Sequence, residues 1–139
     1  MITTKNGDGG MSEYFGKKVS KSGKILEAVG TLDELQAVLG LVKLEKIQNE
    51  ISEIMGKIFK EERIKELEKE IEKLDKKIII KNKFVIFKNR KAIILNWVRT
   101  IVRRAERRSM VFKDRNILIY LNRLSDYIYL LALKEEKIR

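Results

Sequence analysis

Residues 90–112, RKAIILNWVRTIVRRAERRSMVF, and residues 115–136, RNILIYLNRLSDYIYLLALKEE, carry the reading of the fold. In the first stretch Ile94, Val98, Ile101 and Ala105 recur by threes and fours, and in the second Ile117, Leu121, Leu124, Ile128 and Leu131 do the same. A helix repeats every 3.6 residues, so each set makes one apolar stripe that must be buried against another element. Upstream, Leu44, Ile47, Ile51, Ile54 and Ile58 form one such series and Ile64, Leu67, Ile71, Leu74 and Ile78 another. The polar residues KEER at 60–63 separate them, which predicts two helices or one long helix with a slip. Leu26, Val29, Leu32, Leu35, Leu39 and Val42 predict a first helix from Ile25 to about residue 43. The segment Lys77–Lys91 reads equally well as loop, short extended piece or helix. With no proline to interrupt them and Ile, Leu, Glu and Lys abundant, up to five helices result, and the class is all-α.

The 139 residues suit one domain. Residues 25–139 are its helical bundle, and residues 1–24, with Gly7, Gly9, Gly10, Gly16 and Gly23, are an extended glycine-rich N-terminal segment. The chain has no Cys and no His, which excludes disulfides, thiolate metal sites, cysteine nucleophiles and Ser-His-Asp triads. Chemistry here must come from carboxylates, Arg, Lys, hydroxyls and bound cofactors. No apolar run reaches membrane-span length and no signal-peptide core opens the chain, so a soluble, cytoplasmic protein without membrane partners is expected.

The net charge of +11 is concentrated: residues 81–115 hold 12 basic and 2 acidic side chains, whereas residues 1–80 hold 15 of each. Such a concentration implies an anionic partner, which could be nucleic acid, a membrane surface or a polyphosphate.

Three constellations could carry chemistry. Arg99, Arg103 and Glu106 are spaced i, i+4, i+7 and share an arc of about 60° on one helix. Two guanidinium forks there suit one anion, and Glu106 can hold Arg103 or accept from a ligand hydroxyl. The same spacing also serves a solvated basic face with Glu106 in an ordinary intrahelical pair. Arg104, Arg107 and Arg108 point elsewhere. In YLNRLSD, Asn122, Ser125 and Asp126 share a face, as either a polar interhelical network or a ligand contact. Near the N-terminus, TTKNGDGGMS combines glycines that let backbone N–H groups approach phosphate with Lys5 and the hydroxyls of Thr3, Thr4 and Ser12. It is not a Walker A loop, and by glycine content alone it reads as a flexible tail.

The strings TKNGDGGMS, FGKKVSK, EAVGTLDEL, RTIVRRAER and YLNRLSD, in this order, resemble the PduO-type ATP:cob(I)alamin adenosyltransferases. The resemblance covers residues 3–42 and 84–132, while 44–82 show no match. It implies a five-helix bundle that assembles as a homotrimer with active sites between subunits. It also implies transfer of the 5′-deoxyadenosyl group of ATP to the cobalt of a reduced corrinoid, forming adenosylcobalamin and releasing triphosphate. On this resemblance Thr4, Lys5, Gly7, Asp8, Gly10, Ser12 and Lys21 fall on the nucleotide-binding segment. Arg99, Arg103, Glu106 and Asn122 fall on the family's site positions, the first three as catalytic residues. Asp33 falls on an aspartate that pairs with the arginine matching Arg99 across the interface, and Phe84 on a corrin-side aromatic. Mg²⁺ is expected mainly on the ATP phosphates, with no protein ligand assigned. A corrinoid reductase and an adenosylcobalamin-dependent mutase are the implied partners, and nucleic acid is not. The runner-up is a nucleic-acid-binding helical protein using the basic stretch Lys81–Arg115.

Four departures bear on the site. Asn6 stands where the family commonly has a threonine, the string after Ser12 is one residue short, FVIFKN replaces a Pro-Gly-Gly turn after the phenylalanine, and the stretch between RTIVRRAER and YLNRLSD is short.

Overall fold

A computed structural model describes residues 1–78 and 84–136. The expected Ile run and the lysines at 79–83, and the last residues of the basic C-terminus at 137–139, lie outside the described residues. The described residues form a short hairpin, β1 (Met11–Tyr14) and β2 (Lys17–Ser20), followed by five α-helices. These are α1 (Lys24–Leu39), α2 (Glu45–Met55), α3 (Glu62–Asp75), α4 (Arg90–Ser109) and α5 (Arg115–Glu136). The two middle series are therefore separate helices.

The apolar stripes meet in one core. Leu32, Leu35 and Leu39 of α1, Ile51 and Ile54 of α2, Leu67 of α3, Leu95, Val98 and Ile101 of α4, and Tyr120, Leu121, Leu124 and Ile128 of α5 are buried. Helix α5 packs on α4 and α3, and α1 packs on α4 and α2. One expected core position is exposed: Ile58, because α2 stops at Met55 and the chain turns away before it. Leu131, like Leu44, Ile71 and Ile94, is partly buried against the core, while its neighbour Leu130 is buried.

Helix ends follow local chemistry. Asn89 caps α4 by accepting from Ala92 N–H at 3.2 Å. Asp114 begins α5 by accepting from Asn116 N–H at 3.0 Å. Between α4 and α5 lie only a 3₁₀ turn (Met110–Phe112) and two residues, so these helices run antiparallel. At the far end of the pair, Glu136 accepts from the N–H groups of Lys88 and Asn89 at 2.9 and 2.8 Å, which closes the pair there.

The N-terminal segment is more structured than an extended tail. Phe15 (φ 52°) and Gly16 (φ 77°) both lie at positive φ, as a two-residue hairpin turn requires, and Tyr14 pairs with Lys17. Among the described residues no helix is long and apolar enough to cross a membrane.

Glu50 on α2 is only 3 % exposed. It accepts from the Tyr120 hydroxyl at 3.3 Å, and its second oxygen has no partner among the described residues. Burial pushes its carboxyl above the ordinary range, against the opposing pull of Lys46 and Arg63. Folding thus disfavours its charged form, and the resulting penalty grows as pH rises through the unfolded and then the folded pKa, and is complete above both. Glu50→Gln is expected to stabilise the protein at pH 7 by about 1 kcal/mol, or about 4 °C in Tm, with the gain vanishing near pH 4. Thermal melts of both proteins at the two pH values check this; a variant less stable at pH 7 would show that Lys46 and Arg63 outweigh burial.

Candidate functional site

The seam between α4 and α5 carries the first site. A cleft of about 570 Å³ is lined by Phe84, Ile86, Arg99, Arg103, Asp126 and Tyr129, among others. Arg99 is positioned from two sides: its Nε donates to Asn96 Oδ1 at 3.0 Å, and its Cζ lies 5.7 Å from the centre of the Tyr129 ring. Arg103, one turn on, is exposed to the cleft, and no hydrogen bond or ion pair engages it among the described residues. Phe84 and Ile86 are exposed and line the same cleft.

Antiparallel packing sets the rest of the register. With Arg99 beside Tyr129, seven residues forward on α4 and seven back on α5 bring Glu106 to the level of Asn122. Arg99 and Arg103 thus line the cleft from α4 and Tyr129 and Asp126 from α5, while Glu106 and Asn122 lie one turn further along and do not line it. Ser125 is buried and donates to the carbonyl of Asn122 at 2.9 Å, a local helix bond that leaves Asn122 and Asp126 as the exposed polar groups of that face. The cleft holds one carboxylate, Asp126, against two guanidiniums among its described residues, a donor set suited to phosphate oxygens rather than a bare divalent ion.

Other arginines of the same helix serve the fold. Arg104 pairs with Glu34, and Arg108 Nη1 donates to Thr31 Oγ1 at 2.8 Å, so both tie α4 to α1. The basic stretch is therefore divided between helix packing and the cleft, not laid out as one strip.

The second cluster is the N-terminal loop. Asp8 N–H donates to Lys5 O at 3.2 Å and Gly10 N–H to Gly7 O at 3.3 Å, making successive turns with Lys5 at φ 63° and Gly10 at φ 81°. Lys21, just past β2, closes the loop: its Nζ donates to Gly7 O at 2.6 Å and its N–H to Gly10 O at 2.9 Å. A Cβ on residue 7 would stand 2.8 Å from that Nζ, so glycine there lets the ammonium sit on the backbone. Thr4, Lys5, Asp8, Gly10 and Lys21 are exposed and Gly7 and Ser12 half-buried, all on this loop and the hairpin that closes it. None of them lines the arginine cleft of the same chain.

Asp33 is exposed on α1 and makes no ion pair with Arg99 within the chain. Sequence reasoning did not single out Asn96 and Tyr129 as the groups that orient Arg99. Asn96 was legible as the i−3 neighbour of Arg99, whereas Tyr129 is brought there only by helix pairing.

Similarity to known proteins converges on one family. The family model described as cobalamin adenosyltransferase matches residues 2–135. The chain is 31% identical to the corrinoid adenosyltransferase MMAB of Bos taurus, over 94% of this chain and 69% of that protein. It is 32% identical to the Homo sapiens protein of the same name, over 94% of this chain and 67% of that one. A variant PduO-type ATP:corrinoid adenosyltransferase from Lactobacillus reuteri, solved in complex with ATP, superposes with a TM-score of 0.89 at 27% identity, covering 99% of this chain and 94% of that one. Another variant of that enzyme, solved with cobalamin and ATP, gives 0.79 at 26% identity, covering 99% and 93%.

Proposed function

Because the chain belongs to the cobalamin adenosyltransferase family and is an ATP-dependent corrinoid adenosyltransferase, we propose that its arginine cleft and its N-terminal loop are the two halves of one active site. The reaction moves the 5′-deoxyadenosyl group of ATP to the cobalt of a reduced corrinoid, giving adenosylcobalamin and triphosphate. Reduced cobalt is a strong nucleophile, so the protein needs to supply position and charge compensation rather than a base. That requirement accounts for a site without His or Cys.

Charge builds on the triphosphate as the C5′–O bond breaks and the Co–C bond forms. Arg99 and Arg103 are placed to meet it, with Lys5 and Lys21 from the loop. Arg99 is pre-oriented by Asn96 and Tyr129, which reduces the reorganisation needed during reaction. Glu106 and Asn122, level with one another across the seam, fix the ribose or adenine or orient the arginines. Phe84 and Ile86, apolar and exposed on the wall of the same cleft, present a surface to the corrin side. Mg²⁺ travels with the phosphates, where it neutralises part of their charge, and it is assigned no protein ligand.

The observation that carries this reading is the separation of the two halves within one chain: no loop residue lines the arginine cleft. A site between subunits joins them, the loop of one copy facing the cleft of the next, in a homotrimer with Asp33 meeting Arg99 of a neighbour. Ile93 and Trp97, exposed one turn apart on α4, supply apolar surface for such a contact. Residues 1–24 then form the nucleotide segment and 25–139 the bundle of a single cytoplasmic domain, served by a corrinoid reductase and supplying a mutase. An anaerobic assay with MgATP and reduced cobalamin tests it, following the spectral change on Co–C bond formation alongside the sedimentation coefficient. A monomer active at full rate would remove the shared site.

A further inference from the structure

The connection between α2 and α3 lies between the EAVGTLDEL and RTIVRRAER strings, and it holds an unexpected residue. Helix α2 ends in a Schellman motif: Ile58 N–H donates to Glu53 O at 2.9 Å and Lys57 N–H to Ile54 O at 3.1 Å. The residue after the cap in this motif takes the left-handed conformation, where glycine is preferred. Here it is Lys57, at φ 57°, although Gly56 stands immediately before it. Lys43 and Lys113 also adopt this conformation, so the conformation alone singles out nothing. What distinguishes Lys57 is where its side chain goes. Its Nζ lies 4.4 Å from the ring centre of Phe15 and 5.0 Å from that of Tyr14.

Those two rings are the tip of the hairpin. They pack edge to face at 4.7 Å, and Phe15 is itself left-handed at φ 52°. The Tyr14 hydroxyl donates to Met55 O at 3.0 Å, one of the terminal carbonyls of α2 that lack a helical partner. The receiving turn is held from below: Arg63 of α3 makes a paired contact with Glu53 of α2, Nε to Oε1 at 3.1 Å and Nη2 to Oε2 at 2.9 Å. Two conformationally costly residues from distant parts of the chain thus meet at one contact, on a braced platform. At the other end of the hairpin β1 and β2 lead directly into the Thr4–Ser12 loop and Lys21.

We propose that Lys57 and Tyr14 form a latch that fixes the hairpin on the α2–α3 turn and thereby places the nucleotide-binding loop, making both positioning residues for ATP. The latch rests on the reading of residues 4–21 as a nucleotide segment. Neither residue touches the triphosphate. Their effect is to reduce the ordering that ATP must impose on the loop, so they act on substrate binding and not on the chemical step.

Lys57→Gly in the full chain separates this from a purely structural role. Glycine relieves the left-handed backbone and removes the cation, so the Tm should hold or rise while the KM for ATP rises about three- to tenfold with kcat within twofold. Lys57→Arg, which keeps a cation over the rings, should stay within twofold of the parent in KM. Tyr14→Phe removes only the hydroxyl and should raise KM about two- to fivefold. Amide exchange across residues 11–20 should quicken in Lys57→Gly while that of α5 is unchanged. Lys5→Ala, inside the loop, is the control. An unchanged KM in Lys57→Gly alongside a raised one in Lys5→Ala would overturn the latch and leave the nucleotide loop standing. If neither variant moved, the nucleotide reading would fail and take the latch with it.

Discussion

Arg103→Ala should lower turnover by about 10² to 10³, whereas Arg108→Ala should leave it within a few-fold of the parent. The two residues lie five positions apart on α4, and both are cationic and exposed, so composition does not separate them. Their surroundings do. Arg103 opens onto the cleft beside Arg99 and Phe84, where the triphosphate's growing charge is proposed to lie. Arg108 is turned to α1, with Nη1 on Thr31 Oγ1. Removing a donor aimed at developing charge costs transition-state stabilisation. Removing a helix-to-helix contact costs a fraction of the folding free energy instead. Steady-state rates with reduced cobalamin, together with thermal melts, separate the two cases. Equal losses of turnover from both substitutions would remove the basis for assigning the cleft.

Deletion of residues 1–12 should weaken ATP binding at least about 100-fold while the helices stay folded, because the loss of several charge-assisted contacts is worth at least ~3 kcal/mol. No residue of the buried core lies within 1–24, so the bundle loses none of its apolar burial. The hairpin also changes what is expected of the segment. A glycine-rich tail of 24 residues would be free along its length, but Tyr14 is bonded to Met55 and Phe15 lies under Lys57. Ordering on nucleotide binding therefore falls to the loop before β1, whose glycines carry the largest entropic cost. Proteolysis at Gly9 or Gly10 should be fast in the free protein and slow with MgATP, and calorimetry and circular dichroism should report binding and fold separately. Cleavage at one rate with and without saturating nucleotide would mean that the loop does not close over the triphosphate.

The helical class, the starts of α1, α4 and α5 to within a residue, and most buried positions were legible because a 3.6-residue repeat is a local property. Leu32, Leu35, Leu39, Ile51, Val98, Leu121 and Ile128 need no partner to be recognised as core. The hairpin was not legible in the same way. Its strands are four residues each, too short for alternation to stand out, and its turn puts a phenylalanine where asparagine or aspartate would have signalled positive φ.

Arginine spacing on α4 likewise showed that Arg99, Arg103 and Glu106 share a face, since that follows from helix geometry alone. It did not show that Arg104 and Arg108 belong to α1, or that Tyr129 would stand against Arg99, because each pairing joins residues far apart in the chain. The same holds for Lys57, whose sequence neighbours give no hint of Tyr14 and Phe15. Periodicity is written in consecutive residues and survives reading one residue at a time. Which cation meets which ring, carboxylate or hydroxyl depends on helix register and hairpin docking, which exist only once the apolar stripes have closed on one another.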